Sequence, residues 1–140
     1  MRTSLLHKMV TAGLCMFLAG AAMAKDPVLF CEFKQLGNFT GTPNEVAIAY
    51  RKGASKMAVY DSFMKSLDRD AILGDVVRDT DRTLVFKWVV KKVPTTSGSV
   101  LANVRYRISW DKPSRRAKIV GQPSGIPDSY NGLGRCDFRK

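Results

Sequence analysis

The sequence predicts an all-β fold, a small antiparallel β-barrel or sandwich of about eight strands closed by one disulfide bond. The first observation behind this prediction is the stretch Val100–Asp111, where apolar and polar residues alternate strictly. A period of two is typical of a strand with one buried face. Secondly, shorter stretches of this kind recur between turn residues, and no convincing amphipathic helix interrupts them. Thirdly, Cys31 and Cys136 lie in the first and last of these stretches.

The first 24 residues have the layout of a secretory signal peptide. Arg2 and Lys8 form a positive region, residues 9–20 form an apolar run, and residues 22–24 (Ala-Met-Ala) form a small-residue cleavage site. The apolar run is too short to cross a bilayer of about 30 Å as a helix. We therefore expect a single β domain of residues 25–140, periplasmic or secreted, with no transmembrane segment after signal cleavage.

Each strand is predicted from alternation that ends at glycine, proline or a polar turn. Residues 62–75 fit neither the strand nor the helix period, so a short helical turn or an irregular connection is expected there. Residues 122–134 are rich in glycine and proline and are expected to form a loop. Within the strands we expect Val85 to face outward and Phe138 to face the core beside Cys136. The predicted strands are residues 28–34, 45–50, 57–60, 75–79, 83–93, 100–111, 115–121 and 135–138.

The cysteines predict one bond in the mature chain. Cys15 is removed with the signal peptide, and export implies an oxidising compartment, so Cys31 and Cys136 are expected to pair. This disulfide joins the first strand to the last. Closing a loop of this size stabilises the folded chain by roughly 4–5 kcal/mol in the chain-entropy treatment.

The residues missing from the mature chain argue against catalysis. The only histidine, His7, lies in the signal peptide, so no imidazole remains for a nucleophilic triad or a catalytic zinc site. No glycine-rich phosphate loop opens a helix. We therefore expect a protein that is not an enzyme and uses no cofactor or metal. Clustered aspartates are interpreted as turn residues rather than a calcium loop, because no twelve-residue loop ending in glutamate follows them: Asp68, Asp70, Asp75, Asp79 and Asp81.

Positive charge dominates the mature chain. Without the signal peptide, 21 basic residues face 12 acidic ones, a formal net charge of +9. Three consecutive strands carry cations at positions predicted to face outward, and short loops make these strands neighbours. We expect Arg105 opposite Lys87 and Arg107 opposite Lys118. This basic face consists of Lys87, Lys91, Arg105, Arg107, Arg116 and Lys118. It is either an ordinary solvated surface or a site for an anionic envelope component, such as anionic lipid or lipopolysaccharide phosphates; nucleic acid is not expected.

The loop before the last strand is the second candidate site. It carries Ser124, Gly125, Tyr130 and Asn131 on a scaffold that the disulfide closes. Its Ser-Gly pair with a following tyrosine, together with the Phe-Cys-x-Phe strand around Cys31, resembles the small periplasmic inhibitors of lysozyme. The resemblance implies a disulfide-bearing β-barrel that inhibits a peptidoglycan hydrolase, with Ser124 and Tyr130 entering the catalytic cleft of that protein partner.

Overall fold

The computed structural model describes residues 26–37, 41–94 and 100–139, and the predicted signal peptide lies outside them. Eight antiparallel strands form a closed barrel, in which each strand pairs with the next along the chain and the last pairs with the first. The predicted all-β barrel is confirmed. The strands are β1 (Val28–Gln35), β2 (Glu45–Ala49), β3 (Lys56–Asp61), β4 (Ile72–Asp79), β5 (Thr83–Pro94), β6 (Val100–Asp111), β7 (Arg116–Pro123) and β8 (Tyr130–Arg139).

The barrel interior is filled by the apolar halves of the alternating strands. Trp88 on β5 and Tyr106 on β6 lie opposite each other, and their rings stack with centroids 5.4 Å apart. Phe86 and Ile108 form the next inward pair, and both are fully buried. Because inward side chains alternate with outward ones, the same strands present a second, polar row to the outside.

The seam between β1 and β8 closes the barrel. Eight residue pairs align along it, with Cys31 directly opposite Cys136, and these two fully buried cysteines form the predicted disulfide. Gly132 and Gly134 belong to β8, although the sequence suggested a loop there. A Cβ atom at Gly134 would collide with the backbone carbonyl of Glu32. Glycine is therefore needed for close strand approach here and does not mark a turn.

The ambiguous segment after β3 contains a short helix, α1 (Ser62–Ser66), and then the beginning of β4. Asp61 caps this helix, since its Oδ1 accepts a hydrogen bond from the Met64 backbone N–H at 2.9 Å. Its Oδ2 accepts another from Trp88 Nε1 at 2.9 Å. Within the described part of the chain, no helix is long and apolar enough to cross a membrane.

Two side chains have the predicted orientation but an unexpected degree of exposure. Val85 faces outward, opposite the exposed Ser109 and Arg78, but it is only 6 % exposed; it lies beside a bulge in β4, where the ladder is irregular. Phe138 lies on the inner side, opposite the buried Leu29, but it is 48 % exposed because it lies near the end of the barrel, where its ring packs edge-on against Tyr50 and Trp110.

Candidate anion-binding face

The six residues of the basic face all have exposed side chains on the outer surface of β5, β6 and β7. The register differs from the predicted one, because Arg107 lies opposite Lys87, and Lys118 lies opposite Ser109. The expected pairs were wrong by one outward position. The predicted side of each strand was right, because all six cations face solvent.

Arg105 and Arg107 lie at the centre of this face. Arg107 is directly opposite Lys87, and it is diagonal to Lys118 across the next ladder. Arg105 lies opposite Val89, which places it diagonally between Lys87 and Lys91. Directly opposed residues in a sheet have Cβ atoms about 5 Å apart, and diagonal ones about 7–8 Å. Five of the six cations are therefore linked by direct or diagonal neighbours, so that one extended polyanion or one charged surface can contact them together.

Arg116 lies beside Lys118 on the same face of β7, but it belongs to a surface row of mixed charge. It is directly opposite Arg135 on β8, and Arg135 in turn lies opposite Glu32 on β1. Near this row Arg115 forms an ion pair of 3.3 Å with Asp137. We therefore assign Arg116 to the edge of the basic face and the other five cations to its body.

The side chains of the basic face lack ion pairs in the part of the chain that the structure describes. By contrast, Lys56 binds Asp75 at 2.9 Å and Lys112 binds Asp79 at 2.7 Å. The nearest carboxylate along the sheet is Asp75, which lies opposite Lys87. The hydrogen bond and charge of Lys56, with a smaller effect of Lys87, hold the pKa of Asp75 below its ordinary value.

One further cation lies beside this face but was not predicted. Lys34 on β1 is opposite Leu133 on β8, and Leu133 is opposite Lys118 on β7, so the exposed cations continue around the barrel. The predicted bond between Cys31 and Cys136 could have located Lys34, because it fixes the register between β1 and β8. Local sequence pattern alone does not place β1 or β8 beside β7.

The structure separates the four predicted loop residues. The connection between β7 and β8 is only residues 124–129; it contains Ser124 and Gly125, both exposed, and Gly125 has φ +77°. Tyr130 and Asn131 instead begin β8 and are half-buried. The Tyr130 ring lies against Gly41, where any Cβ atom would collide with it. The Asn131 carbonyl accepts a hydrogen bond from the Leu36 N–H at 2.9 Å, so these two residues help to fix neighbouring chain segments.

The clustered aspartates do not converge. Asp79 accepts hydrogen bonds of 2.7 Å from both Tyr50 Oη and Lys112 Nζ at one end of the barrel, and Asp75 binds Lys56 on the outer wall. Burial, together with the hydrogen bond to Asp79, raises the pKa of Tyr50 against the opposing effect of Lys112. Among the described residues, no group of three or more His, Cys, Asp and Glu side chains is arranged to hold a metal ion.

Two surfaces thus carry the predicted binding residues: the basic face on β5–β7, and the connection between β7 and β8 with its exposed Ser124 and Gly125. They differ in chemistry, since the first is cationic and spread over three strands, and the second is small and neutral. Comparison of the chain with protein-family models, with curated proteins and with solved structures found no significant match.

Proposed function

We propose that this protein is an exported, non-catalytic binding module whose basic face engages phosphate-bearing anionic components of the cell envelope. The observation that carries the proposal is the set of exposed cations on three neighbouring strands, without ion pairs in the described ranges. Anionic lipid and lipopolysaccharide share the chemistry that such a face recognises, a dense array of phosphates.

Electrostatics supports an anionic partner. Arg107 and Lys87 lie directly opposite each other, and like charges in this position destabilise a sheet. Phosphates placed over the pair reverse that repulsion, and a guanidinium group donates two parallel hydrogen bonds to a phosphate. Each cation near an anionic membrane surface contributes about 1 kcal/mol of attraction. Such binding requires lysine and arginine side chains and no histidine, and the mature chain has no histidine.

Vesicle sedimentation tests the proposal. Purified mature protein is mixed with vesicles of phosphatidylcholine, with and without phosphatidylglycerol, at low and high salt. We expect binding only to the anionic vesicles, and binding that weakens as salt is raised. Replacing both central cations, Arg105→Gln with Arg107→Gln, is expected to weaken binding by about 30-fold, since two contacts of about 1 kcal/mol are lost.

The control variant removes the same charge from another part of the surface. Lys52 and Lys65 are exposed, in the turn after β2 and in α1 respectively, so Lys52→Gln with Lys65→Gln lowers the net charge equally. This variant is expected to bind nearly as well as the wild-type protein. An equal loss in both variants, or equal binding to neutral vesicles, contradicts a defined anion-binding face.

A second candidate function is inhibition of a lysozyme-type peptidoglycan hydrolase. The exposure of Ser124 and Gly125 between β7 and β8 favours it, because exposed residues of a loop on a rigid scaffold are well placed to contact a partner. The test is the rate of peptidoglycan hydrolysis by a c-type lysozyme and by a lytic transglycosylase. Slowing by micromolar wild-type protein, lost on Ser124→Trp and kept in the Arg105/Arg107 variant, supports the inhibitor. Absence of slowing by the wild-type protein rules it out.

A further inference from the structure

The outer surface of β4 and β5 combines the cations with exposed apolar side chains. Val89 is 40 % exposed; it lies between Lys87 and Lys91 on its own strand and directly opposite Arg105. Leu73 on β4 is 66 % exposed, the highest fraction among the large exposed apolar residues of the described chain.

These two apolar side chains belong to one patch. Asp75 lies opposite Lys87 at the end of the β4–β5 ladder; Leu73 is two residues before Asp75 and Val89 is two residues after Lys87, so both lie just beyond that pair on the outer face. Outward residues that follow the same pair of a ladder lie on one face of the sheet. Leu73 and Val89 therefore share an outer face with Lys87, Lys91 and Arg105, and the ion pair of Lys56 with Asp75 lies beside Leu73.

This composition distinguishes among anionic partners. A soluble polyanion, such as polyphosphate, offers nothing to an exposed leucine or valine. The interface of a bilayer offers phosphates at the surface and hydrocarbon just below, and lysine and arginine reach the phosphates while their stems lie along apolar groups. Exposed apolar side chains next to a group of cations therefore match an anionic lipid bilayer.

We infer that the outer surface of β4, β5 and β6 lies against an anionic lipid bilayer, with Leu73 and Val89 entering the boundary between headgroups and acyl chains. This inference rests on the proposed function, and it adds the lipid surface as the partner and the orientation of the barrel on it. The seam strand β1 then points away from the membrane, because it is four strands from β5 in either direction around the barrel.

The chain offers a matched control on that far side. Val28 on β1 is 38 % exposed and Leu36, just after β1, is 50 % exposed, close to the values of Val89 and Leu73. The test variant is Leu73→Gln with Val89→Thr, and the control variant is Leu36→Gln with Val28→Thr. Threonine keeps the β-branched shape that suits a strand. Thermal unfolding of both variants checks that the barrel is intact.

Each variant is titrated with phosphatidylglycerol vesicles and, separately, with soluble polyphosphate. We expect the test variant to lose about tenfold in vesicle affinity, the effect of withdrawing two apolar side chains from the lipid. Its affinity for polyphosphate, and both affinities of the control variant, are expected to stay unchanged.

The outcomes separate this inference from the function on which it rests. If the test variant binds vesicles as well as wild type while Arg105→Gln with Arg107→Gln binds poorly, lipid insertion is wrong and the anion-binding function stands. An equal loss of vesicle and polyphosphate binding in the test variant also overturns insertion. Failure of the wild-type protein to bind anionic vesicles overturns both.

Discussion

Replacing the buried carboxylate of Asp61 by its uncharged isostere tests the account of the barrel interior. Asp61 is 1 % exposed, and its two oxygens each accept one hydrogen bond, from the Met64 N–H and from Trp88 Nε1. In the variant Asp61→Asn one of these oxygens becomes an NH₂ group. Whichever way the amide is turned, one buried donor then faces another donor.

The expected loss follows from that mismatch. A buried donor without an acceptor costs about 1–3 kcal/mol, whereas the change in volume is negligible. An opposing effect is that the variant no longer buries a charge, and burial raises the pKa of Asp61 more than its hydrogen bonds lower it. We expect the mismatch to prevail at pH 7, with the free energy of unfolding lowered by about 2 kcal/mol.

The pH dependence of this loss has a defined sign. Because the pKa of Asp61 is raised in the folded protein, folding favours its protonated form, and the wild-type protein loses stability as the pH rises from the unfolded pKa through the folded one. The asparagine variant lacks this dependence. The difference in unfolding free energy between the two proteins is therefore expected to be larger at pH 3.5 than at pH 7.

Urea unfolding followed by tryptophan fluorescence measures the difference at each pH. Asp128→Asn, the same chemical change at an exposed loop residue, is the control and is expected to leave stability nearly unchanged. An Asp61→Asn variant that is as stable as the wild-type protein at pH 7 refutes the reasoning, because relief of the buried charge then outweighs the lost acceptor. A stability difference that shrinks toward acid pH contradicts the assigned pKa direction.

Further predictions concern the seam and the ends of the barrel. Replacing both Cys31 and Cys136 by alanine, which opens a crosslink between residues 105 apart, is expected to lower the free energy of unfolding by about 4.7 kcal/mol. A urea-measured loss below about 2 kcal/mol contradicts the entropic account. Gly134→Ala is expected to cost at least about 1–3 kcal/mol, because the added methyl meets the backbone of β1 rather than a movable side chain, and a melting temperature equal to wild type contradicts this close approach. Lys112→Met is expected to raise the pKa of Tyr50 further, since the ammonium group opposes that rise; an absorbance titration showing no increase disproves the coupling.

Strand identity followed from local pattern, whereas register and closure did not. The limits of β6, Val100–Asp111, were predicted in full because both faces of that strand alternate without interruption. The relation between Arg107 and Lys118 was wrong because periodicity fixes the face on which a residue lies and leaves its partner to the length of the turn. The beginning of β8 was missed because glycine is common both in turns and where two strands approach closely, and the sequence alone does not distinguish these roles for Gly132 and Gly134.

The candidate site shows the same division. That all six cations face outward followed from parity, and their concentration around Arg105 and Arg107 needed the register. That Val89 lies outward between Lys87 and Lys91 also followed from parity, whereas its position opposite Arg105 needed the register. The burial of Asp61 was missed, because its partner Trp88 is 27 residues away in sequence and becomes its neighbour only when the barrel closes.

The pairing of Val28 with Arg139 makes the barrel suited to circular permutation. A short linker between these residues, with a new opening at the Gly53 turn, would preserve every ladder while shortening the segment that the Cys31–Cys136 bond encloses to about ten residues. The same bond would then restrict the denatured chain far less, and its contribution in the chain-entropy treatment falls from about 4.7 to about 2.7 kcal/mol. The same disulfide would thus stabilise the fold by two different amounts, depending only on where the polypeptide is opened.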